Sequence, residues 1–403
     1  MLINSERISR DIETIAGFNE TTPDIGYSRP TFSPAWKRAC DYVIAQAKSA
    51  GCKVRTDAAG NIHALHASLD WHEKVWLSGS HIDSVPTGGK FDGVVGIVCP
   101  LELLRAAHQA GRALPLELII FAEEEGTTFG VGMIGSRLWT GQLDPQSLQN
   151  FLNADGQTYL ASGKSHGVNP DRLPDDKFAA KNYRGLIEVH IEQGPGMWRR
   201  NQPIAVVAAI AGRKQMHVSI EGEDNHAGAT SMQDRHDALA AAAACIVELE
   251  KYANDLRCDA VLTVGKITCQ PNAINVIPGH VEFTIDFRSG SAKILDAADQ
   301  DIRKLIEQTC GHRNLDVKIL ATENQPPQPM DEALVQRLVK LSGNAPLLTS
   351  GALHDSAILA PLLPTAMLFV ASKDGISHNP AELSRIEDIA AAANLLAKLV
   401  AEP

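Results

Sequence analysis

No stretch of this sequence stays apolar long enough to span a bilayer. The longest such run, around 238–247, is closed by Asp237 and Glu248 and falls well short of the roughly 20 residues a membrane helix needs. It reads as a buried, Ala-rich helix. No run of Lys and Arg stands out either, and the formal charge is −11, which argues against a nucleic-acid surface, whose affinity rests on clustered cations neutralising phosphates. The seven cysteines, at 40, 52, 99, 245, 258, 269 and 310, are odd in number and never spaced C-x-x-C. They announce neither a disulfide framework nor a thiolate zinc site, and a reducing, cytoplasmic compartment is the expectation. The start meets Glu6, Arg7, Arg10 and Asp11 without the basic-then-apolar order of a signal peptide, so export is not expected. Internal repeats and low-complexity tracts are absent too. What is present is the composition of a globular chain, 44% apolar and 21% charged over 403 residues, a length at which two domains are the default.

Helical periodicity runs over 35–50 and ends at Gly51, and short apolar runs at 75–78, 116–122 and 186–191 read as buried strands. The segment 94–110 predicts a helix ending before Gly111, with Pro100 predicting a kink or a late start. Alternation of this kind implies an α/β layer around a largely parallel sheet. After Gly212 the texture changes. Residues 216–221 alternate like a half-exposed strand, 237–252 is a helix, and 261–267 and 280–288 are strands of period 2. That α+β insert closes near the Pro-rich stretch 325–330, after which a strand at 365–371 and a last helix at 388–400 resume the first pattern. The expected organisation is a catalytic domain in two parts, 1–211 and 330–403, interrupted by a second domain over 212–329.

Four polar clusters sit just beyond strand-like runs: Ser80-His81-Ile82-Asp83, Glu123-Glu124-Glu125-Gly126, His190-Ile191-Glu192-Gln193-Gly194, and Ser377-His378-Asn379-Pro380. In open α/β sheets the carboxyl ends of the strands open onto one crevice, so side chains leaving different strands there can converge on one ion. Asp92, in a glycine-containing loop before a helix, can bridge two cations. Three imidazoles with carboxylates suit Zn²⁺, Mn²⁺, Co²⁺ or Ni²⁺ better than Mg²⁺ or Ca²⁺. Strand alternation predicts that Asp83 faces the same way as His81 and accepts its second N–H, fixing the tautomer. Glu124 and Glu125 point different ways, so one can bind metal while its neighbour takes a proton from the attacking water and passes it to a leaving nitrogen. That is amide-type hydrolysis.

These segments, together with Phe91-Asp92-Gly93, Asn225-His226-Ala227-Gly228 and His378-Asn379-Pro380-Ala381-Glu382, resemble the hydantoinase/carbamoylase branch of the M20 metallopeptidase-like family. The motifs run in order from about Arg29 to the last helix. The resemblance implies a Zn-peptidase-like catalytic domain, a mostly parallel central sheet, and an inserted α+β lid that also forms a homodimer. It implies two divalent metal ions per subunit: His81, Asp92 and His190 on one, Asp92, Glu125 and His378 on the other, with Glu124 as the base. By the same resemblance His226 stabilises the oxyanion, and Gln193, Asn275 and Arg288 hold the substrate. A guanidinium suits a carboxylated substrate because it grips a carboxylate through two parallel hydrogen bonds. The implied substrate is a small ureido or N-carbamoyl compound. The neighbouring reading is an aminoacylase or dipeptidase using the same metals, and ammonia release separates the two. Thr128, Leu353 and Arg213-Lys214-Gln215 depart from the usual family pattern, which leaves the substrate preference open.

Overall fold

The computed structural model describes residues 2–256 and 258–402. Two compact units emerge: the first takes the chain up to Ala208, then Met330–Leu348 and everything from Ala352 onward, and the second takes Ala209–Pro329 with Thr349–Gly351. The first crossing falls three residues ahead of the expected 211/212, and the short return at Thr349–Gly351 carries no signal in the sequence.

The first unit is built on a mixed sheet. Its strands are β1 (Cys52–Thr56), β2 (Ile62–His66), β3 (Val75–His81), β4 (Leu116–Phe121), β5 (Tyr183–Ile191), β6 (Ile204–Ile210) and β7 (Thr365–Val370), ordered β1-β2-β4-β3-β5-β7-β6. The four central strands β4, β3, β5 and β7 are parallel, while β1, β2 and β6 add antiparallel edges. Every residue of β3, β4 and β7 is buried, which explains why the sequence shows continuous apolar runs there rather than alternation: strands covered on both faces have no solvent side to mark.

The helix Val94–Gln109 crosses from β3 to β4 and is buried over most of its length. It is a single element through Pro100, so the expected late start does not occur. Proline removes only the N–H that would bond the Gly96 carbonyl one turn earlier. At Gly96 the helix comes so close to the sheet that a Cβ would lie 2.4 Å from the Ser80 Cβ and 2.6 Å from the Val189 carbonyl oxygen. Glycine there lets the helix lie directly over the carboxyl ends of β3 and β5.

The second unit carries an antiparallel sheet ordered Ile267–Gln270, His280–Ser289, Gly212–Glu221, Asp316–Gln325, with Val261–Thr263 also paired to His280–Ser289. The strict alternation of buried and half-buried residues along His280–Ser289 is the period-2 pattern of a sheet covered on one face. Helices Ala238–Asp255 and Ala292–Gly311 cover it, meeting Val218, Phe283 and Phe287 with Ala241, Cys245 and Ile302. The single strand expected at 261–267 is two strands separated by residues 264–266. Gly265 interrupts the run, and glycine weakens a strand interior.

Candidate metal centre

The parallel strands end together, and the candidate ligands follow at their carboxyl ends. His81 closes β3, His190 is the penultimate residue of β5, Glu123–Glu125 follow β4 by one residue, and His378 stands in the loop after β7. Three of these loops turn at once: Glu123, Gln193 and His378 all have φ between 54° and 57°. Left-handed backbone is uncommon outside glycine and is tolerated where surrounding contacts hold it.

Asp92 stands at the middle of the cluster. His81 Nε2 and His190 Nε2 lie 3.4 and 3.2 Å from its Oδ1. His378 Nε2 lies 3.4 Å from its Oδ2 and 3.5 Å from Glu125 Oε2. Two groups of three donors, His81/Asp92/His190 and Asp92/Glu125/His378, share the Asp92 carboxylate, and a third combines Glu188 and His354 with His190. Tetrahedral zinc with arms of about 2.0–2.1 Å separates neighbouring ligand atoms by roughly 3.3–3.4 Å, so these spacings are those of atoms arranged around a cation. The other imidazole nitrogens are spoken for: His81 Nδ1 lies 3.0 Å from the Asp83 carbonyl and His190 Nδ1 3.1 Å from the Ile191 carbonyl. Each ring therefore donates Nδ1–H to backbone and turns its Nε2 lone pair inward, the tautomer a ligand needs. Glu125 Oε1 is buried with no hydrogen-bond partner. The residues present fit a pair of divalent ions.

The electrostatics agree. Despite burial, the neighbouring imidazoles, His190 first, hold Asp92 well below the usual carboxylate range. Asp92, through its hydrogen bond, pushes His378 up to about 9. Burial opposes a charge on His81, yet Glu124, Asp92 and Asp83 outweigh it and raise its pKa well above the ordinary value. The field that draws protons onto these rings is the field that draws a cation, and metal and proton compete for the same lone pairs. Glu124 lies 3.7 Å from His81 Nε2 and belongs to none of the three-donor groups. Burial, with Glu125 adding to it, raises its carboxyl well above the usual range.

Three sequence expectations change here. Asp83 does not meet His81 through its carboxylate, whose Oδ1 is 3.7 Å away. The strand ends at His81, alternation no longer applies, and the backbone carbonyl of Asp83 is the acceptor. Its Oδ2 instead accepts from the Glu125 N–H at 3.2 Å. Gln193 donates to Asp92 Oδ2 at 2.7 Å, so its amide braces the shared carboxylate and only its buried, unpartnered Oε1 remains open. Arg288, in the second unit, already grips Asp286 through Nε and NH2 at 2.8 and 3.3 Å and donates NH1 to the Gly351 carbonyl at 3.0 Å. One N–H on each terminal nitrogen is left for a ligand.

Within the second unit His226 and Asn275 come together, because Asn225–His226 pairs with Val276–Ile277 and the Ala227 N–H donates to the Asn275 carbonyl. His226 Nδ1 accepts from the Gly228 and Ala229 N–H groups at 3.0 and 3.1 Å. Its proton therefore sits on Nε2, as a donor. Two groups escaped the sequence reading. Glu382 accepts from the Phe91 and Asp92 N–H groups and from Ser377, fixing the Asp92 loop. Glu188 accepts from Ser80 and Ser356 beneath His190. A lone acid among the apolar residues Leu186, Ile187 and Val189 was the available signal for Glu188; for Glu382 it was its place in the motif with His378.

The pattern of Peptidase family M20/M25/M40 matches residues 77–402. An N-carbamoyl-L-amino acid amidohydrolase of Geobacillus stearothermophilus is 37% identical over 380 residues, 93% of this chain and 92% of the relative. An allantoate amidohydrolase of Escherichia coli (strain K12) is 34% identical over 385 residues, 94% and 93% of the two chains. The crystal structure of a hydantoinase/carbamoylase family amidase from Burkholderia multivorans superposes with a TM-score of 0.91 at 30% identity, covering 99% of this chain and 97% of that one. The chain belongs to Peptidase family M20/M25/M40, and within it to the hydantoinase/carbamoylase branch of amidohydrolases.

Proposed function

We propose that this amidohydrolase binds two divalent cations per chain, Zn²⁺ or Mn²⁺ with Co²⁺ and Ni²⁺ as matching alternatives, and cleaves the C–N bond of a small carboxylated ureido or N-carbamoyl compound. The observation that carries the reading is the Asp92 carboxylate presenting one oxygen to His81 and His190 and the other to His378, beside a buried Glu124 outside both groups. Divalent ions supply Lewis acidity and make water acidic near neutral pH. Glu124 takes the proton of the attacking water and delivers it to the leaving nitrogen. Asp83 orients His81 and the Glu125 backbone. Gln193 braces Asp92 and offers its Oε1 to substrate. His226 donates Nε2–H to the developing oxyanion, while Asn275 and the two free N–H groups of Arg288 hold the substrate carboxylate.

The carbamoyl assignment is supported by the named activities of the relatives. The reading includes a homodimer formed through the second unit, measurable by sedimentation, and a cytoplasmic location. Among the described residues no helix is long and apolar enough to cross a membrane. The test is ammonia release in the presence of each of the four metals from allantoate, ureidoglycolate, N-carbamoyl-amino acids and β-ureidopropionate. Ammonia from at least one, abolished by chelation and restored by metal, is the expected result. Silence on all of them with turnover of N-acyl amino acids would move the chain to the aminoacylase reading.

A further inference from the structure

Arg29 is fully buried in the first unit. Its backbone N–H donates to Ser84 Oγ at 2.9 Å, its carbonyl accepts from the Ser84 N–H at 3.3 Å, and its Nε donates to the Ile82 carbonyl at 2.9 Å. These bonds grip the residues on both sides of Asp83. NH1 and NH2, by contrast, reach no acceptor among the described residues, although the charges around the guanidinium are the carboxylates of Asp83, Glu382 and Asp92. Burial pulls its pKa down to about 10, which leaves it charged at neutral pH. A buried cation in contact with no counter-ion is unfavourable, and a hydrophobic residue of similar volume would fill the same space without that cost. Packing therefore does not account for an arginine here.

We propose that Arg29 is a positioning residue for the reaction: it fixes residues 82–84 so that Asp83 turns its carbonyl to His81 and one carboxylate oxygen to the turn carrying Glu124 and Glu125. The two onward links are the 3.0 Å contact to His81 Nδ1 and the 3.2 Å bond from the Glu125 N–H. One member of each of the two groups that share Asp92 thus depends on the segment that Arg29 holds. The guanidinium also faces the buried carboxylates of Asp83, Asp92 and Glu382, and offsets the repulsion between Asp92 and Glu382. Lysine cannot replace it, because only a planar guanidinium places Nε on the Ile82 carbonyl while directing its terminal nitrogens toward the acids.

The inference rests on His81 and Glu125 being metal ligands, and the experiment separates the two claims. Wild-type, R29M and R29K proteins are stripped with a chelator and titrated with Zn²⁺ against a chromophoric competitor; kcat, KM and Tm follow on the metal-loaded proteins. R29M is expected to bind Zn²⁺ about 10–100-fold more weakly and to lose kcat by a similar factor with little change in KM, the range seen when groups behind metal ligands are removed. R29K is expected to fall between R29M and wild type. An R29M protein with a lower Tm but wild-type Zn²⁺ affinity and kcat would mark Arg29 as merely structural and overturn the proposal. If R29M does not fold, S84A replaces it, removing the hydroxyl that accepts the Arg29 N–H: weakened Zn²⁺ binding supports the proposal and unchanged binding overturns it. A wild-type chain that takes up none of Zn²⁺, Mn²⁺, Co²⁺ and Ni²⁺ removes the ligand assignment, and this inference with it, before any variant is compared.

Discussion

At the scale of single residues, the centre is a problem of holding like charges together, and Asp92 shows how it is met. Glu382 takes the Phe91 and Asp92 N–H groups, Ser377 and Gln193 donate to Asp92 Oδ2, and three imidazoles face the carboxylate. Its orientation is over-determined, as pre-organised metal sites require. Glu124 is different. It sits among the same charges with a raised pKa and is committed to no donor group, so it is free to move protons. Glu124→Gln keeps shape and burial while removing the proposed base. It should lower kcat by about 10²–10⁴-fold and leave two metal ions bound by atomic emission. A variant with full turnover would take the base assignment away, and one that loses its metal would show Glu124 to be a ligand.

At the scale of elements, the sheet edge carries a second buried charge cluster that serves stability. His63 on β2 lies between Asp57 and Glu117, at 3.1 and 2.7 Å, and the Tyr183 hydroxyl donates to the same Glu117 oxygen at 3.2 Å. Burial alone would lower the His63 pKa, but the bonds to Asp57 and Glu117 outweigh it and the net shift is upward. The folded chain holds this proton more tightly than the unfolded chain does. The stabilisation is therefore complete below the ordinary histidine value of about 6.5 and fades as pH rises through the higher folded value. In urea unfolding, the gap between wild type and H63Q should narrow as pH climbs above that value, and a gap that widens would reverse the sign of the linkage. The sequence showed this cluster poorly, since Glu117 is a single acid in the apolar run 116–122 and His63 lies on β2, which gave no recognised signal. It showed the central strands and the helices Pro34–Ser49, Val94–Gln109, Ala238–Asp255 and Ile386–Ala401, because apolar runs and periodicity are local signals, but it did not place helices such as Ser5–Ala16 and Ala292–Gly311. It missed β1 and β2, whose antiparallel pairing depends on residues far apart in the chain, and it misjudged Asp83 because alternation was extended past the end of the strand.

At the scale of the whole chain, the proposed chemistry divides unequally between the two units. His81, Asp92, Glu124, Glu125, His190, Gln193 and His378 all belong to the first, whereas His226, Asn275 and Arg288 belong to the second. Motif order made the first set legible, since its members stand at the carboxyl ends of strands or in the loops that follow them. The second set was legible only through family resemblance; the grip of Asp286 on Arg288 is a contact between i and i+2 residues on one face of the strand His280–Ser289. The main insertion point is narrow: the Met330 N–H donates to the Ala208 carbonyl at 3.0 Å, so the long insert Ala209–Pro329 leaves and rejoins the first unit at one place, with Thr349–Gly351 a second, short excursion. A protein in which residues 209–329 are replaced by a short glycine-serine link should therefore fold around the first unit's own core and keep its metal, because every proposed ligand remains. It should lose turnover of the full-length enzyme's substrate, because the proposed oxyanion donor and the proposed carboxylate-binding groups are gone. Metal analysis and ammonia release on the same preparation decide the matter. Retained turnover would mean that the first unit alone carries the reaction, and loss of metal from a folded protein would mean that the ligand set is not confined to it.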